Sequence, residues 1–426
     1  MIPHRRISLK NRSFRPNLVG VSGEEQSLAD YQLHYGKRQT ITVRLNDEDV
    51  NWQQLGPVKQ FHPAEAIQAA LLEPIDYPPV DQAIVPGDRV VLVVDPETPQ
   101  WQLIVAGLRE RILSRGIEPE SIQVVMNAPC AGTLLETAGA VEVIPHDNVM
   151  SGRQVYLAST AEGERIYLPE LIGEADYIIT VGVLGYDDHF GYRGTNTGIY
   201  PAFAGKAERE RFSVSASSEL APEDSHGVRQ YVDEIGWLLG LQYSIQVVPS
   251  AAGEMAHVVS GACDSVLQRG KKLLDESWRS VAGERAETVL ISLLSIEGTP
   301  DLAGLARGCQ VAARLVEADG RVLFLTDLND IPAEARTILE ADSDLDRIAR
   351  KFMKSTCSEV KALGALIRLT QRAKVYLLSG LDPDLVESLQ CIPLSNETEL
   401  ERAIQQGSSY AVLDGGRFAY VDPASD

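Results

Sequence analysis

The densest grouping of residues able to do chemistry is the run Gly185-Tyr186-Asp187-Asp188-His189-Phe190-Gly191-Tyr192-Arg193-Gly194-Thr195-Asn196-Thr197-Gly198. Carboxylates at Asp187 and Asp188 beside His189 can form a general acid/base pair, because a neighbouring negative charge raises the pKa of an imidazole. Three glycines and an Asn196-Thr197-Gly198 turn let the backbone approach a ligand closely. Arg193 can clamp a carboxylate. The same run also suits a glycine-rich loop whose charges face water, and the residues alone leave both readings open. A second candidate, Asp95, ends the apolar run 90–94 and precedes Pro96 and Pro99, so its carboxylate sits on a stiff turn. There it can orient a ligand hydroxyl or cap the following helix.

Other chemistry is hard to place. His146, within Ile144-Pro145-His146-Asp147-Asn148, reads as the donor of a structural hydrogen bond rather than a catalyst. His4, His34, His62, His226 and His257 share no metal-ligand spacing, so no metal site is expected. The dinucleotide GxGxxG, the phosphate-binding GxxxxGK[ST] and the hydrolase GxSxG patterns are all absent.

These residues need a frame. Around residues 31–45 apolar and polar residues alternate about a Gly36-Lys37 turn, the pattern of a hairpin buried on one face. Beyond it, helical spacing at 63–74 and 101–115 alternates with apolar β-rich runs at 90–94, 122–128, 154–158 and 177–184. Helices are expected at 168–174, 228–240 and 260–278, with a strand at 243–249. Residues 279–287 read as a connection to a second unit with strands in 288–294, 321–328, 373–379 and 409–414. Helices at 301–317, 333–341, 345–352, 382–389 and 397–405 separate them. The alternation predicts an α/β protein of two Rossmann-like domains with mostly parallel sheets, the larger N-terminal one (30–278) opening on the hairpin and the second spanning 286–426. In such sheets ligands bind beyond the strand C-termini, which places Asp95, 128–132 and 185–200 at the expected cleft.

Residues 1–29 carry Arg5, Arg6, Lys10, Arg12 and Arg15 without apolar periodicity and read as a flexible tail. A length of 426 residues exceeds what one core sustains, in keeping with two domains. A net charge of -21, spread along the chain, repels phosphate backbones and excludes nucleic acid as an expected partner. Five scattered cysteines without CxxC spacing suit a reducing cytoplasm. No apolar run is long enough for a membrane span or a secretion signal.

The order and spacing of several segments resemble the nickel-pincer lactate racemase family across residues 30–424. They are the Tyr35-Gly36-Lys37 hairpin, 65–79, 85–95, His146-Asp147-Asn148, 177–184, the 187–201 loop, 232–249, 297–328 and 374–381. That resemblance implies interconversion of D- and L-2-hydroxy acids on a nickel-bound pyridinium-derived nucleotide. It requires a tethering lysine, a histidine ligand to nickel, two acid/base histidines and cations for the substrate carboxylate.

Position by position, the likeness fails at these residues. The family's Asp-x-Thr-Arg-Pro motif stands here as Asp95-Pro96-Glu97-Thr98-Pro99, with Thr98 at the arginine. The acid/base histidines align with Ala131 and Asp187, the tethering lysine with Thr197, the nickel ligand with Ser213, and the second-domain group with Ala306, Arg307 and Gln310. Threonine cannot form the lysine's link and serine is a poor nickel ligand. No cofactor is therefore assigned. The expected function is a divergent relative that binds a small anionic metabolite, a 2-hydroxy acid or a nucleotide-like molecule, through Asp95, Asp187, His189, Arg193, Thr197 and Arg307. Two alternatives stay open: an active racemase or epimerase with an untethered cofactor, and a non-catalytic regulatory protein.

Overall fold

The structure, a computed structural model, describes residues 28–128, 142–214, 222, 227–295, 302–355 and 357–423. Two six-stranded sheets organise them. The first runs Met255–Ala262, Tyr243–Pro249, Tyr177–Val183, Val90–Val94, Ile122–Met126, Val143–Ile144, parallel except for its first pair. The second runs Ile392–Leu394, Lys374–Leu378, Val316–Leu325, Ala286–Ser292, Tyr410–Leu413, Val50–Gln54 and is parallel throughout. This is the α/β architecture with mostly parallel sheets that the alternation implies.

Val90–Val94 shows why the first sheet forms. All five residues are buried, as a central parallel strand covered on both faces requires. Val90, Leu92 and Val94 join a core with Trp101, Ile104, Val105, Leu108 and Ile112, the inner stripe of helix Trp101–Ser114. Val91 and Val93 point the other way, into a core with Ile166, Ile199, Phe203 and Val232. Among the described residues no helix is long and apolar enough to cross a membrane.

Four departures from the sequence reading bear on the architecture. The helix expected at 168–174 is the shorter Glu170–Gly173, and it is preceded by an unexpected strand Arg165–Pro169, antiparallel to Gln154–Ser159. There the period-two burial of Ile166 and Leu168 between exposed Arg165 and Tyr167 prevails. Met255–Ala262 is a strand the sequence did not suggest, so the next helix begins at Cys263 rather than 260. A helix at Ser358–Thr370 was also missed, although Val360, Leu363, Ile367 and Leu366 are buried at helical spacing.

The fourth departure concerns the hairpin Leu28–Tyr35 and Gln39–Asn46. It precedes the first unit in the chain but packs on the second sheet, its Tyr31, Leu33, Ile41 and Val43 against Leu290, Leu323, Leu378 and Val412. The following strand Val50–Gln54 is that sheet's edge. Alternation fixes which face of a hairpin is buried; it carries no information about what buries it.

The two sheets share a continuous apolar core. Leu184, Tyr186, Tyr192, Leu274 and Trp278 pack with Ile291, Leu293, Phe418 and Tyr420. The Trp278 indole donates to the Pro249 carbonyl at 2.9 Å and lies against the Phe418 ring. At Gly261, φ is +139° and an added Cβ would lie 2.1 Å from the Ile75 carbonyl oxygen. Gly261→Ala is expected to destabilise by on the order of 3 kcal/mol, read as a lowered Tm. Gly163→Ala, with φ +86° and open space around the new methyl, should cost only about 1 kcal/mol. Equal losses for the two would contradict the close approach at residue 261.

Candidate functional site

At the C-terminal edge of the first sheet each departing strand is tied to its neighbour. Asp95 N donates to Val181 O at 2.8 Å, Asn127 N to Val94 O at 2.9 Å, and Leu184 N to Val247 O at 2.8 Å. The chain thus leaves three strands side by side at the place where parallel sheets hold ligands. Asp95 does not cap the next helix. That helix starts at Trp101 after a left-handed Gln100, while Asp95 Oδ1 accepts from Glu97 N at 2.9 Å and closes a local turn.

Arg193 lines the cleft and is also paired with carboxylates of the chain itself. Its Nη2 lies 2.6 Å from Glu97 Oε2 and 3.3 Å from Asp95 Oδ2. The other Glu97 oxygen, Oε1, lies 3.2 Å from Nη2 of Arg417, which follows the second sheet's strand Tyr410–Leu413. Burial alone would push Glu97 up, but the two guanidiniums prevail and bring its pKa down to about 2. Asp95 goes the other way: burial raises it, the nearby Glu97 charge adds to the rise, and Arg193 only partly opposes it.

Asp187 and His189 do meet. Asp187 Oδ1 accepts from the backbone N–H of His189 at 2.7 Å and of Phe190 at 3.1 Å, and lies 3.4 Å from His189 Nδ1. Burial lowers the His189 pKa, but the Asp187 contact, the Asp188 charge and the Phe212 backbone outweigh it, and the imidazole rises above its ordinary 6.5. Asp187 is shifted down: burial opposes the shift, and His189 and Arg307 drive it. The two shifts have one cause, since each group favours the charged form of the other.

Arg307, from helix Leu302–Leu315, lies 3.3 Å from Asp188 Oδ1 and donates to Tyr186 O at 3.0 Å, while Gln310 donates to Asp188 Oδ2. Tyr186 and Tyr192 both donate to Asp275 at 2.9 Å. The loop is thereby anchored to the second unit, and Arg307 acts on it rather than on the pocket.

Thr197 is spent on structure: its Oγ1 accepts from Gly194 N at 2.8 Å and donates to Gly194 O. It closes the turn Thr195–Gly198, in which Thr195 holds a left-handed φ of +54°, strained for a β-branched residue.

Asp95, Asp187, Arg193, Thr195, Thr197 and Gln246 are among the residues that line a cleft of about 160 Å³, so Thr197 faces it as well as closing its turn. Gln246 is 1% exposed and donates to Ser244 Oγ at 2.8 Å, yet its Oε1 has no partner, and neither has Thr195 Oγ1. Buried polar atoms left unpaired cost about 1–3 kcal/mol each, so these two mark where polar ligand atoms would be welcome. A Cβ at Gly182 would sit 2.9 Å from Gln246 Oε1, which explains glycine there.

The sequence reading missed Glu97, Arg417 and Gln246 as site residues. For Arg417 the available signal was its place just after an apolar strand, in Asp414-Gly415-Gly416-Arg417. It also passed over His34, whose Nδ1 lies 2.7 Å from Asp414 Oδ2. Asp414, 2% exposed, accepts from Ser292 Oγ at 2.6 Å as well, so the serine bonds the carboxylate and not the imidazole. His146 bonds the Ala202 carbonyl at 3.0 Å, a structural link. Ala131 and the tail 1–27 lie outside the described residues, as does the side chain of Ser213.

The described residues do not fit a tethered nickel-pincer nucleotide. The hydroxyl at the tethering position is committed to its own turn, no lysine lines the cleft, and 160 Å³ is well below the roughly 300–1,000 Å³ of ordinary ligand pockets. Among the described residues no three His, Cys, Asp or Glu side chains are grouped to hold a metal ion.

Fold and site together define an α/β protein of two parallel sheets with a polar cleft at the strand C-termini of the first. Residues 35–211 match the family described as the lactate racemase N-terminal domain. The lactate racemase apoprotein from Thermoanaerobacterium thermosaccharolyticum is similar with a TM-score of 0.70 and 14% identity, over 92% of this chain and 100% of that one. A Thermotoga maritima protein solved by structural genomics is similar with a TM-score of 0.61 and 11% identity, over 84% and 98%. No curated protein matches the sequence. Residues 35–211 thus resemble the lactate racemase N-terminal domain, and the fold of most of the chain is similar to that of the lactate racemase apoprotein.

The raised His189 and lowered Asp187 make a pH prediction. The stability that His189 contributes is full below its unfolded pKa of about 6.5 and is lost as pH rises through the higher folded value. That of Asp187 is full above about 3.8 and is lost as pH falls through its lower folded value. In an NMR titration His189 is expected to titrate above 6.5, and Asp187→Asn to bring it down. Titration at or below 6.5 in the unaltered protein would contradict the pairing.

Proposed function

We propose that this protein binds a small carboxylate-bearing 2-hydroxy acid in the cleft beyond strands Val90–Val94 and Tyr177–Val183, and does not run tethered nickel-pincer racemisation. The observation that carries the reading is the pair of unpartnered buried acceptors, Gln246 Oε1 and Thr195 Oγ1, in the same cleft as the Arg193 guanidinium. A 2-hydroxy acid supplies what these groups lack: a hydroxyl donor for Gln246 and a carboxylate for a cation. The cleft volume suits a molecule of a few heavy atoms and not a nucleotide. His189 lies beside the cleft residue Asp187, whose carboxylate favours its protonated form.

A second reading, epimerisation of a hydroxy acid, rests on the 3.4 Å contact of Asp187 with His189 and on the raised pKa of the cleft residue Asp95. On that reading His189 gives a proton and Asp95 takes one.

Thermal melting of the full chain with D-lactate, L-lactate and glycerate, alongside NMR of C2-hydrogen exchange in deuterium oxide, tests both. Binding predicts a concentration-dependent rise in Tm, equivalent to about 2.7 kcal/mol at 100 times Kd, that Arg193→Ala abolishes. No shift with any 2-hydroxy acid would contradict the binding reading, and C2 exchange would favour the catalytic one.

A further inference from the structure

We infer that Arg193 and Arg417 form a two-pronged carboxylate site that Glu97 fills from within the chain, so that Glu97 is an internal competitor of the ligand and must swing aside for it to enter. The inference rests on the preceding reading that the cleft takes a small carboxylate.

The geometry is that of a bound carboxylate. One guanidinium sits on each oxygen, Arg193 at 2.6 Å from Oε2 and Arg417 at 3.2 Å from Oε1, and the two arrive from different sheets. This is how two arginines hold one free carboxylate. Arg193 also lines the cleft, so a ligand there reaches the same cation. The Arg417 side chain is 9% exposed whereas that of Glu97 is 35% exposed, so the competitor is the component open to solvent. Pro96 and Pro99 fix the backbone on either side of Glu97, which leaves side-chain rotation as the low-cost motion.

Glu97 also serves a purpose when no ligand is bound. Without a shared anion between them the two guanidiniums would repel each other. A ligand carboxylate that takes over from Glu97 preserves that balance and releases Glu97 to water, so exchange is cheaper than filling an unpaired site. A purely structural ion pair would have a different signature: its removal would lower stability and leave affinity for carboxylates unchanged.

The test is isothermal titration of the full chain, Glu97→Gln and Glu97→Gln/Arg417→Ala with L-lactate and oxalate at low salt, with Tm recorded for each. Glu97→Gln is expected to bind about tenfold more tightly than the unaltered chain, and adding Arg417→Ala to remove that gain. If Glu97→Gln does not fold, Glu97→Asp carries the same test, since it keeps the charge but shortens the reach by one methylene. Unchanged affinity in a folded variant, with binding by the unaltered chain, overturns the competitor while leaving the proposed function in place. Absence of binding by every form overturns both.

Discussion

One carboxylate links the two units beside the cleft. Glu97 leaves the first sheet on a proline-flanked turn and is met by Arg193 from the loop after Tyr177–Val183 and by Arg417 from the loop after Tyr410–Leu413. With Asp95 the network brings two acids and two bases close together, from 9% exposed at Arg417 to 35% at Glu97. Were any one removed, another would be left without its partner. The loop 185–198 depends on the same arrangement: its Tyr186 and Tyr192 sit in the second unit's core and donate to Asp275, and its Asp188 is held by Arg307. The lining of the cleft comes from the first unit, while Arg417 and Arg307 of the second hold the residues and the loop beside it.

The sheet architecture was legible because it is written in local pattern. Val90–Val94 is an uninterrupted apolar run and can only be a doubly covered strand, and Asp95 at its end had to lie at the sheet's ligand-binding edge. What escaped was information that is not local. The hairpin's alternation shows a buried face, but its partners Leu290 and Val412 lie hundreds of residues away in the chain. Met255–Ala262 is held by ladder pairing to Tyr243–Pro249, and its own residues, with His257 and Gly261 among them, give a weak strand signal.

The site divides in the same way. The meeting of Asp187 with His189 followed from adjacency in the chain. The employment of Thr197 in a turn, and of Arg193 in an ion pair with a residue 96 positions earlier, did not. Side-chain types announce what a residue can do; only the fold shows whether a partner within the protein has already engaged it.

On the proposed reading, a fold similar to that of the lactate racemase apoprotein carries different side chains at the cleft. Thr197 closes a turn, Thr98 is buried, and the positive charge beside the cleft comes from Arg193 and Arg417. The frame still delivers a polar cleft to the strand ends, and its unpaired acceptors still call for a small polar ligand. The most direct measurement is the intact mass and nickel content of this protein after co-expression with enzymes that make the pincer nucleotide. The account predicts the mass of the unmodified chain and nickel well below one equivalent. A covalent adduct, or nickel at one equivalent per chain, would contradict it.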